Sequence, residues 1–137
     1  NHITHNMKHG ALFFCSMFHV PCSMIIIDAK NKILGRVATE AAHILRGKNE
    51  PSFEPHKLPQ SKVSIINVSR IRVTGTKPQT KIYKRYSGYP SGLKKISFEM
   101  QLQRDPKRII EHAVRSMLPK NKLRAVMMRN LTIHVNE

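Results

Sequence analysis

The sequence predicts an α/β fold: a three-layer α/β/α arrangement with a central, mostly parallel sheet in a single domain. Short β-branched runs at 25–27, 63–68 and 131–135 have the character of buried strands. Amphipathic stretches at 35–46 and 105–118 have the character of helices. The two kinds of segment alternate, as they do when parallel strands are joined by helical crossovers that cover the sheet. A chain of 137 residues suffices for one domain with one core, and it contains no internal repeat.

Residues 1–23 stand apart. They hold four of the eight histidines, both cysteines (Cys15 and Cys22), three of the five phenylalanines and a single lysine. A signal peptide would use Lys8 and the apolar run 11–18, but that run is short and is followed by His19 and Pro21. A metal site from His2, His5, His9, Cys15 and Cys22 matches no standard zinc spacing. The favoured reading is an atypical extension or poorly ordered arm, with a domain of 24–137 that starts at Met24. No apolar run approaches the ~18–20 residues needed to span a bilayer. Two cysteines cannot build a disulfide framework, which suits a reducing cytoplasm.

From Met24 the elements follow in order. The strand at 25–27 runs into Asp28 and a turn over 29–34. In the helix 35–46, Val37, Ala38, Ala41, Ile44 and Leu45 share one face, and His43 falls on the polar face. Gly47 sits where a helix end favours a left-handed residue. Three prolines make 49–61 a loop. After the strand at 63–68, residues 67–70 form a turn and 71–74 a third short strand ending at Gly75. Residues 81–86 alternate as an extended segment, which can turn Tyr83 inward, and 87–92 are a turn-rich loop. Ser97 is placed to cap a short helix to Arg104, and Asp105-Pro106 to start the next. There Ile109, Ile110, Ala113, Val114, Met117 and Leu118 form an apolar stripe. Lys107, Glu111 and Arg115 are spaced four apart on the other side, suited to ion pairs. Pro119 ends that helix, Asn121 caps another to Arg129, and 131–135 closes the chain.

Charge narrows the function. Lys and Arg number 24 against 8 acids, a net charge of +16. Such a field attracts a polyanion, because every phosphate neutralised releases counterions. Residues 55–98 contain no acid but ten basic residues and all three tyrosines. Within this stretch Lys77, Lys81, Lys84, Arg85, Lys94 and Lys95 are candidate phosphate contacts. Tyr83, Tyr86 and Tyr89 offer rings for unpaired bases, Tyr83 having inward packing as its equal alternative, and Gly88 and Gly92 let backbone approach a phosphate. A second cluster, Lys120, Lys122, Arg124 and Arg129, coincides with a helix N-terminus, a natural phosphate site. Enzymatic signals are poor. No phosphate-loop, dinucleotide or nucleophile-elbow motif is present, the acids are scattered, and no cofactor or metal is called for.

Four segments together resemble a known family. They are Ile27-Asp28-Ala29-Lys30 with Leu34-Gly35-Arg36-Val37-Ala38; Val73-Thr74-Gly75-Thr76-Lys77; the run from Tyr83 to Lys94; and Met117-Leu118-Pro119-Lys120-Asn121-Lys122-Leu123. In this order and spacing they resemble the universal large-subunit ribosomal protein numbered thirteen, the L-thirteen family. The resemblance runs from about Ile25 to Val135. It implies the same three-layer fold and binding to large-subunit ribosomal RNA. It places Arg36, Lys77, Lys84, Arg85, Ser87, Gly88, Tyr89, Lys94, Lys120 and Lys122 at or near that RNA. The chain departs from the family pattern after His56, at Tyr86 where His is common, at Ser91 where Gly is common, and at Arg124-Ala125 where Gly-Arg is usual.

The expected function is therefore a non-enzymatic, structural constituent of the large ribosomal subunit, located in the cytoplasm or in an organelle's ribosomes. Its partners would be ribosomal RNA and neighbouring ribosomal proteins, with no membrane or small-molecule substrate. The alternatives are an mRNA-binding regulator using the same surface, a secreted cationic membrane-active protein and, more weakly, a nuclease.

Overall fold

The computed structural model describes residues 24–135, so the expectations for 1–23 lie outside the described residues. Strand β1 (Met24–Asp28) pairs in parallel with β2 (Lys62–Ile66), and β2 pairs in parallel with β5 (Leu131–Ile133), in the order β1-β2-β5. The register places Val63 between Ile25 and Leu131, and Ile65 between Ile27 and Ile133. This face carries the core, with Ile27, Val63 and Ile65 buried. On the opposite face, cover reaches the central strand at Ser64 (3% exposed) but leaves the edge strand open at Ile26 (65% exposed). The α/β class and the parallel sheet are as the sequence predicted.

Helix α1 (Leu34–Leu45) buries Leu34, Val37, Ala38, Ala41, Ala42, Ile44 and Leu45, the face its periodicity marked. Three alanines on that face let α4 (Pro106–Met117) pack closely through Ile109, Ile110 and Val114. Gly47 closes α1 at φ 79°, its N–H donating to the Ile44 carbonyl at 2.8 Å.

Three strand expectations are corrected, the first being the closing strand 131–135, which ends at Ile133. Strand β2 stops at Ile66 because Asn67 turns left-handed, at φ 59°. The Asn67 side chain then donates to Asp28 Oδ1 at 3.1 Å, an oxygen that also accepts the Lys30 N–H at 3.0 Å. Residues 71–74 form no strand but only a parallel bridge from Arg72 to Ile33. The neighbouring segment becomes helical at Leu34, so the ladder cannot lengthen.

A second, two-stranded sheet pairs β3 (Ile82–Tyr86) antiparallel with β4 (Leu93–Ser97). Before it lies a one-turn helix, α2 (Lys77–Thr80), and after it α3 (Phe98–Arg104). Ser97 caps α3 as expected, accepting the Met100 N–H at 3.4 Å. Asp105 does not cap α4; its carboxylate instead pairs with Arg108 at 3.1 Å. Lys107 and Arg115 form no ion pair with Glu111 among the described residues. Helix α5 (Leu123–Arg129) leads into β5. Among the described residues no helix is long and apolar enough to cross a membrane.

Candidate nucleic-acid interface

The hairpin of β3 and β4 is the centre of the cationic surface, and its register explains why. Lys84 lies directly opposite Lys95, and Arg85 directly opposite Lys94. Like charges in cross-strand pairs repel, so this arrangement costs the free protein stability unless an anion lies between them. No carboxylate relieves it. Among the described residues the only lysines and arginines in ion pairs are Lys57, with Glu54 at 2.7 Å, and Arg108, with Asp105 at 3.1 Å.

An isolated two-stranded ribbon is marginal in water, so this one must be anchored. Phe98, the first residue of α3 directly after β4, is buried at 2% exposure. Its N–H donates to the Lys81 carbonyl at 2.9 Å, adding one more rung to the ladder. Tyr83 turns inward and meets His112 of α4 edge-on, with ring centroids 5.7 Å apart. The Lys81 ammonium lies 5.2 Å from the centre of the same ring, a cation–π contact. Partial burial raises the Tyr83 phenol above its ordinary value of 10.0.

The tip of the hairpin is a tight turn. The Gly92 N–H donates to the Tyr89 carbonyl at 3.0 Å, with Pro90 and Ser91 between. Ser91 is held at φ 61°, a conformation that suits glycine. A Cβ on Gly92 would fall 2.0 Å from Ser87 Oγ and 2.9 Å from the Tyr89 carbonyl oxygen. The loop's own crowding therefore requires Gly92, whatever its ligand. Tyr89, 76% exposed, projects from this tip.

Docking the hairpin on α4 creates a groove of about 890 Å³ that joins the two basic clusters. Arg85 lines it from the hairpin, Lys122 and Arg124 from α5 and its approach, and Arg108 and Arg115 from α4; Glu111 is the sole acid in the lining. Of these five cations Arg108 is already paired with Asp105, and the other four, in no ion pair among the described residues, give the groove the charge that suits phosphate groups. Arg108, His112 and Arg115 were missed by the sequence reading. Their three-, four- and seven-residue spacing puts them on one helix face, which was the available signal.

The remaining candidates are dispersed. Lys77 is exposed at the start of α2 and Lys120 in the turn before α5. Arg129 is exposed in the last turn of α5, outside the groove lining. Arg36 lines separate hollows on α1, one of them with Asn31, Lys32 and Glu40. At the α5 N-terminus, Asn121 Oδ1 accepts the Arg124 N–H at 3.1 Å, so one of the helix's first backbone donors is satisfied by the protein. Among the described residues no cluster of three potential metal ligands occurs.

Comparison with known proteins identifies the family. The sequence profile described as "Ribosomal protein L13" matches residues 23–137. A Synechococcus sp. (strain CC9902) protein named "Large ribosomal subunit protein uL13" is 48% identical over 109 residues, covering 80% of this chain and 73% of that protein. The protein of the same name from Thermus thermophilus is 47% identical over 110 residues, covering 80% and 79%. The one from Desulfitobacterium hafniense (strain DSM 10664 / DCB-2) is 45% identical over 125 residues, covering 91% and 87%. The relatives are named as proteins of the large ribosomal subunit, and this chain, with its cationic hairpin on a small parallel α/β domain, belongs to the ribosomal protein L13 family.

Proposed function

We propose that this protein is a structural constituent of the large ribosomal subunit, where it binds ribosomal RNA, supports subunit assembly and contacts neighbouring ribosomal proteins. The observation that carries the reading is the hairpin with its groove. Two like-charge cross-strand pairs and a five-cation lining are tolerated together, almost free of internal acids. Phosphates of a folded RNA supply the missing counter-charge, and a rigid sheet and helix pair hold those contacts at fixed spacing.

The test is direct. The double variant Lys84→Glu with Arg85→Glu should weaken binding to large-subunit RNA and flatten its salt dependence. Unchanged affinity and slope would remove the hairpin from the interface. The wild-type protein should also co-sediment with large subunits through a high-salt gradient. RNA binding without such co-sedimentation would favour an mRNA partner on the same surface.

A further inference from the structure

The β3–β4 hairpin has two faces of different chemistry. Cross-strand partners share a face and successive residues alternate between faces. The outer face carries Ile82, Lys84 and Tyr86 opposite Ser97, Lys95 and Leu93. The inner face carries Tyr83 and Arg85 opposite Ile96 and Lys94. Tyr83 docks on His112 and Arg85 lines the groove, so the inner face is committed to the cationic cleft. On the outer face Ile82, Tyr86 and Leu93 stay 50%, 64% and 47% exposed, with Lys84 and Lys95 between them.

An exposed ring and aliphatic side chains interleaved with lysines match single-stranded RNA, whose bases present π-faces beside a charged backbone. Charge complementarity selects RNA over an acid-poor protein, because the outer face holds two directly opposed lysines and no carboxylate. The arginine-rich groove matches a helix backbone, whose phosphates a planar guanidinium grips in two places. We propose that the hairpin is a two-sided reader. Its outer face takes an unpaired RNA segment, with bases on Tyr86 and Leu93. Its inner face and groove take the backbone of a separate helix, through Arg85, Lys94, Arg108 and Arg115. The proposal rests on the RNA-binding function proposed above and specifies which part of the RNA meets which face.

The test compares two double variants of the full chain, Y86A with L93A and R85Q with K94Q. Each is bound to large-subunit RNA across a salt series, with base and backbone footprinting and a thermal melt as folding control. The first pair should weaken binding about 5- to 100-fold per base lost, leave the salt slope unchanged and expose unpaired bases. The second should lower the slope by about 2 and expose backbone positions in a different, helical segment. Tyr86→Phe should retain the base protections. If both pairs expose the same nucleotides, the two-sided assignment is overturned while RNA binding stands. An effect of R85Q with K94Q but none of Y86A with L93A also overturns it, leaving the outer face to a protein neighbour. If neither pair changes binding, the RNA-binding role of the hairpin falls as well.

Discussion

Lys94→Glu should stabilise the free protein and weaken its hold on RNA. In the native register Lys94 faces Arg85 across the strands, and the substitution converts a repelling pair into an attracting one. Directly opposed charges contribute about 0.2–1 kcal/mol in either direction. Both side chains are exposed, so solvent screening keeps the total gain near the lower part of the doubled range, about 0.5–1 kcal/mol. For a domain of this size that is a rise in melting temperature of about 2–5 °C. The gain should shrink in ~1 M salt, where the Debye length falls to about 3 Å. Lys94→Gln should give the part due to relief of repulsion alone. In RNA binding, losing one phosphate contact should lower the salt slope by about 1. Thermal melts at low and high salt, with filter binding over a salt series, measure both effects. An unchanged or lower melting temperature at low salt, or a gain equally large at high salt, would refute the reasoning.

Phe98→Ala should cost about 3–5 kcal/mol, as expected for a large aromatic removed from a core site that is 2% exposed. Hydrogen exchange should show the β3–β4 amides losing protection before those of the parallel sheet, because Phe98 anchors the hairpin. Ser91→Gly should raise stability by about 0.5–1 kcal/mol in a denaturant melt, since glycine accepts the φ of 61° without strain; a loss would show that the turn gains something specific from serine. Asp28→Asn should lower stability at neutral pH. Hydrogen bonds from the Lys30 backbone and the Asn67 side chain hold the Asp28 carboxyl below its usual 3.8. A depressed carboxylate contributes stability above that value and loses it as pH falls through the folded-state pKa. Melts at pH 7 and about pH 2 should therefore differ between variant and wild type in the first case and converge in the second; a constant gap would locate the effect elsewhere.

The elements legible in the sequence were those whose stabilisation is local or periodic. The spacing of Val37, Ala38, Ala41 and Leu45 marked the buried face of α1, Ser97 acted as the cap its position implied, and Asn121, one residue before the N-cap Lys122, accepts a first-turn N–H of α5. The misreadings have a common cause. The segment 71–74 has strand composition, but its neighbour turns helical at Leu34. Strand β4, reading Leu93-Lys94-Lys95-Ile96-Ser97, has no clean alternation and is extended because β3 lies beside it. Lys107, Glu111 and Arg115 have the spacing for ion pairs, but none forms among the described residues, although Glu111 and Arg115 line the same groove.

By itself the sequence determined the α/β class, the acid-free cationic stretch and the resemblance to the L-thirteen family, because hydrophobic period, net charge and short motifs are written in consecutive residues. Only the tertiary structure decided that Lys84 meets Lys95 and Arg85 meets Lys94, and that Arg108 and Arg115 join Lys122 and Arg124 around one groove. Strand register and the docking of a hairpin on a helix depend on contacts between residues far apart in the chain. Coulomb interaction follows distance in space and not separation in sequence.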